Sequence, residues 1–522
     1  MFCPKCGENL EDGAKFCPSC GAVIEEPTLE TEPVYEEPVE APVYEEPAAD
    51  TGYTPAPEPA KKGFAISPKI IAIAAGALLA LILVVVLLTS GGGSGTYTFV
   101  EPQFYVTTND ETAYIVNGNG KVQTIEFDSR VYSTTNATGK VGAVHSDGVL
   151  YWFDQNTNKK VTEECAGYYA FSMDGSVLVY TQEGDDGFDL YIYKGGKSTK
   201  IASDISTSNL CISPNGSAIG FCTYDSEDSE YKGYVYDGKI HELGKNKVPV
   251  AVTNGASLVY LKKEGAFFVQ KKFNEDSRVK LAESASDIYY NIDLTEVLVY
   301  DGEKTVYSAN GGEKKTAFKY DPSIITPLRT LRNYAGGGIV YGVKSFIGSY
   351  AYNDGKLVRL NRDMSTTSVA KGITSGLVRL ASDGKTVLFQ KDDQIKKVNG
   401  AAKEPESTKI IDEVEGFVCT EDGKTIFYSV DGELYSIKAS GGKGTKITDE
   451  FEDVDLYKGT TLIYSSDDVL YSSTGGKGQK MASFDDDISS VSASGKVVIV
   501  KLKDGTRLYS TNGKTFKVLF EG

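Results

Sequence analysis

The chain has very few of the residues on which most catalytic and metal sites depend. Its 522 residues include two histidines, His145 and His241, and a single tryptophan, Trp152. Neither an HExxH nor a GxSxG motif occurs, so a zinc-peptidase site and a serine-hydrolase triad have no support. We interpret both histidines as structural surface residues. The sequence therefore predicts a protein that is not an enzyme.

Clustered positive charge is also lacking. The net charge is −18, and residues 25–60 contain eleven carboxylates without a lysine or arginine. Subtracting the charge of residues 1–95 leaves −9 for residues 96–522. Binding to a phosphate backbone needs clustered lysine and arginine. We therefore expect no nucleic-acid partner.

Half of the eight cysteines lie in the first twenty residues, "MFCPKCGENLEDGAKFCPSC". They form two CPxCG turns whose paired thiolates suit tetrahedral zinc: Cys3, Cys6, Cys17 and Cys20. A segment this short cannot bury a sufficient hydrophobic core, so it needs a bound metal ion or disulfides to fold. We expect one structural Zn²⁺ in a zinc ribbon over residues 1–24, with a pair of disulfides as the alternative.

The ribbon resembles the short N-terminal zinc ribbons of many bacterial membrane proteins, a resemblance that covers residues 1–23. Because the ribbon carries a net negative charge, we expect either a cytoplasmic protein contact or a purely structural role for it.

Residues 25–68 are predicted to form a disordered, acidic, proline-rich linker. The hexamer PVYEEP occurs at 33–38 and again at 42–47, and residues 25–60 contain eight prolines. Such a sequence repels itself and buries little apolar surface, so a spacer is the main interpretation. A docking or phosphorylation site at Tyr35 or Tyr44 is the alternative.

A transmembrane helix is predicted over residues 69–89. The stretch from Ile70 to Leu88 has no charge and approaches the roughly 20 residues needed to span a bilayer. Three lysines precede it, at positions 61, 62 and 69, whereas the linker 90–95 is uncharged and glycine-rich. The positive-inside rule then places the N-terminus in the cytoplasm. We expect a single-pass cell-membrane protein whose C-terminal domain is extracellular, with the ribbon in a reducing compartment.

The remainder of the chain repeats a β-hairpin pattern. Four stretches carry an Asp-Gly or Asn-Gly turn followed by an apolar strand: "FSMDGSVLVYTQ", "ISPNGSAIGFCT", "LASDGKTVLFQK" and "CTEDGKTIFYSV". A third-strand landmark recurs about every 40 residues, the spacing of a four-stranded propeller blade. The landmarks are Val122, Tyr151, Tyr191, Val235, Val269, Tyr307, Ala351, Lys396, Tyr435, Tyr471 and Tyr509. One complete unit spans Gly416 to Thr448.

The hairpins at Ile212 and Cys419, with "LYSIKASGG" after Glu433, resemble TolB-type propeller repeats. The resemblance covers nearly all of residues 96–522 and is weakest over 245–345. It implies a mainly β fold, a β-propeller ectodomain of about eleven four-stranded units. WD-repeat membership is not supported, because no unit ends in Trp-Asp.

About eleven units exceed the roughly 4 to 8 blades of an ordinary ring, so two rings are the main expectation. We place units one to six in residues 96–320 and units seven to eleven in residues 336–522. Two prolines and three glycines interrupt the pattern between them, within residues 320–338. One large ring is the alternative.

The exterior offers few other candidates for chemistry. The acidic stretches Asp225 to Glu230 and Asp485 to Asp487 lack the ligand order of a calcium loop, so we interpret them as solvated turns. Cys211 and Cys222 flank one turn, and we expect buried free thiols there, with a cross-strand disulfide as the alternative.

These features together predict a membrane protein whose extracellular propeller binds a protein or glycan ligand. Two other functions stay open at this point. One is an extracellular carbohydrate-active enzyme that works through two loop carboxylates. The other is a receptor that signals to the ribbon by clustering.

Overall fold

The structure is a computed structural model that describes residues 104–522, apart from 227–228, 328–331, 336–337 and 375–376, and apart from the side chains of 207–209 and 332–335. All these residues belong to the second of two compact units, Leu78–Gly522. They contain forty-four β-strands and two short 3-10 turns, Asn254–Ala256 and Glu275–Ser277. No helix in the described ranges has the length and apolar character to cross a bilayer. The predicted zinc ribbon (1–24), both linkers (25–68 and 90–95) and the transmembrane helix (69–89) lie outside these ranges.

The strands form antiparallel sheets in which strands that are consecutive in the chain pair with each other. Most sheets are four-stranded, and we call their strands A, B, C and D in chain order. Units one to three contain β1 (Phe104–Asn109), β2 (Thr112–Asn117), β3 (Val122–Glu126), β4 (Tyr132–Thr135), β5 (Val141–Ser146), β6 (Val149–Asp154), β7 (Asn158–Thr162), β8 (Cys165–Phe171), β9 (Leu178–Glu183), β10 (Phe188–Lys194) and β11 (Lys197–Ile212).

Units four to seven follow the same plan. They contain β12 (Ile219–Asp225), β13 (Glu230–Tyr236), β14 (Ile240–Lys245), β15 (Val248–Val252), β16 (Leu258–Lys263), β17 (Ala266–Lys271), β18 (Val279–Ala282), β19 (Asp287–Tyr290), β20 (Glu296–Tyr300), β21 (Thr305–Ala309), β22 (Lys315–Phe318), β23 (Ser323–Ile325), β24 (Arg332–Ala335), β25 (Gly338–Tyr341), β26 (Tyr350–Asn353), β27 (Lys356–Leu360) and β28 (Thr366–Lys371). The long strand β11 is strand D of unit three, where it pairs with β10, and strand A of unit four, where it pairs with β12.

Units eight to eleven are regular four-stranded sheets. They contain β29 (Val378–Leu380), β30 (Thr386–Lys391), β31 (Gln394–Asn399), β32 (Ser407–Ile411), β33 (Gly416–Cys419), β34 (Thr425–Val430), β35 (Glu433–Lys438), β36 (Thr445–Thr448), β37 (Val454–Tyr457), β38 (Thr461–Ser466), β39 (Val469–Ser473), β40 (Gln479–Ser483), β41 (Ile488–Ser494), β42 (Val497–Leu502), β43 (Arg507–Ser510) and β44 (Lys517–Phe520). The fold is mainly β, and its repeated antiparallel sheets are propeller-like.

Turn chemistry explains why the hairpins form where they do. Asp431 and Gly432 join β34 to β35 with φ of 49° and 75°, a pair of left-handed residues that matches the twist of the flanking strands. Asp147 and Gly148 do the same between β5 and β6, with φ of 43° and 78°. Asp and Gly tolerate this conformation, so the hairpin register is set locally.

Strand B is the buried layer of each unit. Its first four residues are buried in succession in β9, β12, β34 and β42, instead of alternating between core and solvent. Both faces of this strand are covered, because neighbouring sheets pack on either side of it. The core is therefore distributed between the sheets.

The predicted landmarks from Tyr151 onward lie on strand C, with one exception. Ala351 lies on β26, which is strand B of unit seven. The reason is an insertion between strands A and B of that unit: the hairpin β24–β25 adds to unit six instead, where β25 pairs in parallel with β19. This insertion occupies the segment in which we expected a break between two rings.

Side-chain packing links each unit to the next without interruption. Leu298 and Tyr307 of unit six share one buried cluster with Ile324 and Leu357 of unit seven. The last unit also packs on the first, in a cluster formed by Val116, Val497, Ile499 and Tyr509. The Tyr509 hydroxyl donates to the Gly120 carbonyl at 3.3 Å. Packing therefore connects unit six to unit seven, and the last unit contacts the first. The number of rings stays a prediction.

Candidate ligand-binding cleft

The four predicted zinc ligands, Cys3, Cys6, Cys17 and Cys20, lie outside the described residues. Four thiolates in two CxxC pairs are a donor set that zinc prefers. No group of His, Cys, Asp or Glu side chains within the described ranges is arranged to hold a metal ion.

The two histidines lie apart from each other, in units two and four. His145 is half-buried on β5 near Tyr169, and burial lowers its pKa. His241 is hydrogen-bonded to Asp237 at 2.9 Å and stacks on Phe273. Both side chains pack against neighbouring residues, as a structural role requires.

The acidic run at Asp485 to Asp487 makes local contacts. Asp486 accepts the Asp504 amide at 2.8 Å, and Asp487 pairs with Lys503 at 2.9 Å. Asp485 and Asp486 border a groove of about 890 Å³ that Asp504 and Glu521 also line. The carboxylates of this groove repel acidic ligands. Their charges also separate the apolar residues that line it.

All four described cysteines are free and buried. Cys211 pairs across the sheet with Gly220, whereas Cys222 pairs with Ser206. The expectation of free thiols at Cys211 and Cys222 is confirmed. Burial raises the pKa of both thiols to about 12, so they are not reactive nucleophiles.

A cleft with a different character lies between units two and three. Trp152 on β6 and Tyr193 near the end of β10 line it side by side, with ring centroids 6.5 Å apart and planes inclined at 49°. The cleft has a volume of about 330 Å³. It contains the only tryptophan of the chain.

Glycines keep this cleft open. Gly175, Gly195 and Gly196 all line it, and their turns have positive φ. A methyl group on Gly175 would lie 2.5 Å from Val141, so the turn cannot carry a larger residue without displacing its neighbour. Backbone rather than side chain therefore faces the cleft at three positions.

Two lysines supply positive charge at the rim. Lys159 is on β7 and Lys194 ends β10, and both line the cleft. A methyl group on Gly196 would lie 3.6 Å from the Lys159 ammonium, which places that charge beside the turn of unit three. Within the part of the chain that the structure describes, neither lysine forms an ion pair. The cleft is thus cationic within an acidic domain.

Hydrogen bonds to Asp174 fix the turn that borders the cleft. The Asp174 carboxylate accepts the Ser176 amide at 2.9 Å and the hydroxyl of Ser172 at 2.7 Å. Burial alone would raise the pKa of Asp174, but these hydrogen bonds outweigh it and the pKa is lowered. The Asn136 amide of unit two donates to the Met173 carbonyl at 2.8 Å, which fixes the two units to each other. A pre-formed cleft loses little entropy when it binds a ligand.

Sequence reasoning did not find this cleft. The sequence analysis assigned no role to Trp152 or to "YKGGK" at 193–197. The available signal was a lone tryptophan on strand C, followed one repeat later by a Lys-Gly-Gly-Lys turn.

Comparison with known proteins supports the N-terminal assignment. A zinc-ribbon domain model matches residues 2–24, which confirms the predicted ribbon. No protein of curated function matches the chain by sequence.

Several solved structures are similar to parts of the chain. TolB from Acinetobacter baumannii is 14% identical over 47% of this chain, with a TM-score of 0.27. This chain spans 66% of that structure, just under two thirds of its length. A putative TolB from Agrobacterium tumefaciens is also 14% identical, over 44% of this chain and 92% of its own, with a TM-score of 0.27.

PorZ from Porphyromonas gingivalis, a surface component of the type-IX secretion system, is 10% identical over 81% of this chain and 60% of its own, with a TM-score of 0.26. All three TM-scores are below 0.5, so none of these chains superposes closely on this one. The strand pairing itself defines the fold.

Proposed function

We propose that this chain is a single-pass membrane protein whose extracellular β-domain binds an acidic glycan in the cleft between units two and three. The zinc ribbon lies in the cytoplasm and holds one structural zinc ion through Cys3, Cys6, Cys17 and Cys20. The observation that carries the proposal is the pairing of Trp152 and Tyr193 with two lysines around a glycine-lined opening.

The aromatic walls favour a sugar ring. The flat face of an indole offers a large apolar surface at low entropic cost, and sugars present C–H groups on one face. The volume of about 330 Å³ lies at the lower end of the range for small-ligand sites. The cleft therefore suits a sugar unit better than the broad surface of a protein partner.

The lysines favour an acidic sugar. Lys159 and Lys194 bring two positive charges to the rim of a domain whose net charge is negative. A carboxylate or sulfate on the ligand would be attracted there, and salt would weaken this attraction.

The lining argues for binding rather than for catalysis. None of the nine described residues that line the cleft is a carboxylate or a histidine. Glycoside hydrolysis ordinarily needs two carboxyl groups placed on either side of the scissile bond. The cleft supplies neither of them.

The membrane anchor and the topology rest on the sequence. The uncharged stretch from Ile70 to Leu88 has the length of a membrane-spanning helix, and the lysines at its N-terminal side favour a cytoplasmic ribbon. The match of residues 2–24 to a zinc-ribbon model supports a small metal-stabilised module at that end.

Trp152 provides a direct test. All tryptophan fluorescence of the full-length chain comes from this residue, so a ligand that stacks on it changes the emission spectrum. We expect purified full-length protein in detergent to respond to an oligogalacturonate and to respond less to a neutral galactan oligomer of equal length. An unchanged spectrum with both probes would contradict glycan binding in this cleft.

Two variants test the aromatic contact and the charged contact separately. Calorimetry should show Trp152→Ala binding the acidic probe at least roughly tenfold more weakly, as expected for a central aromatic contact. Lys194→Gln should weaken the acidic probe up to about fivefold, the effect of one exposed charge pair, and leave the neutral probe unchanged. Tyr132→Ala is the matched control, because Tyr132 is an exposed aromatic residue that does not line the cleft.

A further inference from the structure

The connections between strands C and D carry only positive charge in six consecutive units. In unit one, β1 to β3 correspond to strands B to D, because a two-residue turn that begins with left-handed Asp110 joins β1 to β2. Asp147 and Asp431 begin the B–C turns of units two and nine in the same way. From unit nine to unit eleven, and then from unit one to unit three, the C–D connections are 439–444, 474–478, 511–516, 118–121, 155–157 and 195–196. Together they contain four lysines and no Asp or Glu.

The opposite edge of the same six sheets is acidic. Strand C begins at the B–C connection and ends at the C–D connection, so the two connections lie at opposite edges of a sheet. The B–C connections of these units are 431–432, 467–468, 503–506, 110–111, 147–148 and 184–187. They contain nine carboxylates and one lysine, Lys503, which pairs with Asp487 at 2.9 Å. Positive and negative charge are therefore separated between the two edges.

Contacts between neighbouring units hold these C–D connections side by side. At four junctions a side chain of one unit donates a hydrogen bond to a carbonyl in the C–D connection of the next unit. The pairs are Ser436 to Gly475 at 2.6 Å, Tyr457 to Thr511 at 3.3 Å, Tyr509 to Gly120 at 3.3 Å and Lys121 to Asn156 at 2.8 Å. At the fifth junction, a methyl group on Gly196 would lie 3.6 Å from the Lys159 ammonium. The six connections are contiguous, also where unit eleven meets unit one.

One lysine from each of these units lies in its C–D connection or near the start of strand D. We call this set the basic arc: Lys443, Lys477, Lys514, Lys121, Lys159 and Lys197. All six residues are exposed, and within the part of the chain that the structure describes none of them forms an ion pair. Neighbouring members are about one repeat apart in the sequence, so only the tertiary structure brings them together.

We propose that the basic arc binds a long acidic polysaccharide, which extends from the cleft between units two and three across the junction of units one and eleven. This inference rests on the function proposed above for that cleft, which Lys159 also lines. It specifies the ligand as a polymer, of which the cleft holds one sugar unit. The acidic B–C connections repel such a chain, so it approaches from the C–D edge.

The spacing of the lysines favours a polymer over a short oligosaccharide. Packed sheets lie about 10 Å apart, and exposed charges are largely screened from each other beyond about 8 Å at physiological ionic strength. Each lysine therefore acts nearly alone, and a single exposed charge pair changes an affinity by up to about fivefold. A chain that meets several connections gains several of these contributions within one molecule.

The composition of the C–D connections favours a soluble polymer over a membrane surface. Protein segments that lie on a bilayer usually insert apolar side chains into it, in addition to their lysines. The exposed large apolar side chains of the described residues all lie outside the six connections: Tyr132, Tyr168, Tyr224, Ile240 and Val518. The arc offers charge without an apolar anchor.

Calorimetry with full-length protein in detergent tests the arc against two probes, a long polygalacturonate and trigalacturonate. We expect the polymer to bind at least roughly tenfold more tightly per chain. Lys477→Gln combined with Lys514→Gln should weaken the polymer at least about threefold. The same variant should leave the trimer unchanged, because neither lysine lines the cleft.

Lys356→Gln combined with Lys371→Gln is the matched control. It removes the same charge from two exposed lysines of unit seven, which lie at the B–C edge of their sheet. Equal polymer affinity in the two double variants would overturn the proposal.

The two probes also separate the arc from the cleft. If the trimer failed to bind while the polymer still required Lys477 and Lys514, the result would contradict the cleft and support the arc. If the trimer and the polymer bound equally per chain, the result would support the cleft and overturn the arc.

Lysine acetylation distinguishes a polysaccharide from anionic lipid. In phosphatidylcholine nanodiscs, polygalacturonate should slow the acetylation of Lys443, Lys477 and Lys514 several-fold, as measured by mass spectrometry, and leave Lys356 unchanged. Equal slowing of the same three lysines in phosphatidylglycerol nanodiscs without the polymer would assign the arc to lipid headgroups and overturn the proposal.

Discussion

The packing of the last unit on the first leads to a quantitative prediction about Ile499. This residue lies on β42 and is 3% exposed, in the cluster with Val116, Val497 and Tyr509. Since Val116 belongs to β2, the cluster joins the two ends of the β-domain. We predict that Ile499→Ala destabilises units at both ends.

The size of the effect follows from the atoms removed. Ile499→Ala deletes three buried carbon atoms, about 2.4 kcal/mol at roughly 0.8 kcal/mol for each buried methylene. The cavity that remains adds to this loss, and measured values for such substitutions run from about 2 to 5 kcal/mol. The free energy of unfolding should therefore fall by at least about 2 kcal/mol.

The fluorescence of Trp152 shows whether the loss of stability caused by Ile499→Ala extends to unit two. Trp152 is in unit two, so in a closed ring only unit one separates it from the substituted unit, whereas along the chain eight units lie between. Urea unfolding of the full-length protein should be followed by tryptophan emission and by far-ultraviolet circular dichroism. In a closed ring both midpoints should fall together.

Val518→Ala is the matched control, because Val518 lies in the same unit and is 54% exposed. A surface substitution of this kind usually changes stability by less than about 0.5 kcal/mol. If Ile499→Ala lowered the circular dichroism midpoint and left the Trp152 midpoint in place, the reasoning about closure would be refuted.

Further outcomes test the zinc ribbon, the topology, the buried thiols and the packing around glycine. Cys17→Ser should abolish stoichiometric zinc in metal analysis under reducing conditions and preserve the circular dichroism of the β-domain; zinc equal to wild type would contradict the ligand set. Protease added to intact cells should digest residues 96–522, and their survival would reverse the orientation. Burial raises the pKa of Cys211 from 9.0 to about 12, so the thiol ionises first in the unfolded chain. The free energy of unfolding should consequently fall as the pH rises from about 9 to 12, and a Cys211→Ala variant with an equally steep fall in its urea midpoint would contradict this. Gly478→Ala would place a methyl group on the buried Tyr464 hydroxyl and should cost about 1–3 kcal/mol in urea unfolding, which Tyr464→Phe should partly restore; no loss would contradict the packing.

The repeat units were predictable wherever local chemistry defines them. The unit predicted from Gly416 to Thr448 has these bounds in the structure, from the start of β33 to the end of β36. The turn between its strands B and C is the Asp431-Gly432 pair, in which both residues are left-handed, and such turns fix hairpin register over a few residues. The zinc ribbon was predictable for a similar reason, because four cysteines at short spacing specify their own geometry.

The sequence did not reveal which unit a strand would join. The stretch after residue 320 looked like a boundary because its prolines and glycines interrupt the repeat, whereas β25 of that stretch pairs with β19 of the preceding unit. This pairing is long-range and depends on which edges are exposed once the sheets have formed. Turn residues carry no information about it.

The sequence by itself determined the hairpins, their spacing and the N-terminal zinc-ribbon pattern, because each depends on residues close together in the chain. Only the tertiary structure decided that the first and last units touch, and that Trp152 and Tyr193 meet beside a cleft that glycines also line. These contacts join residues about one repeat apart, or at opposite ends of the domain. They form because strand B of each unit needs apolar cover on both faces, and the neighbouring sheets provide it.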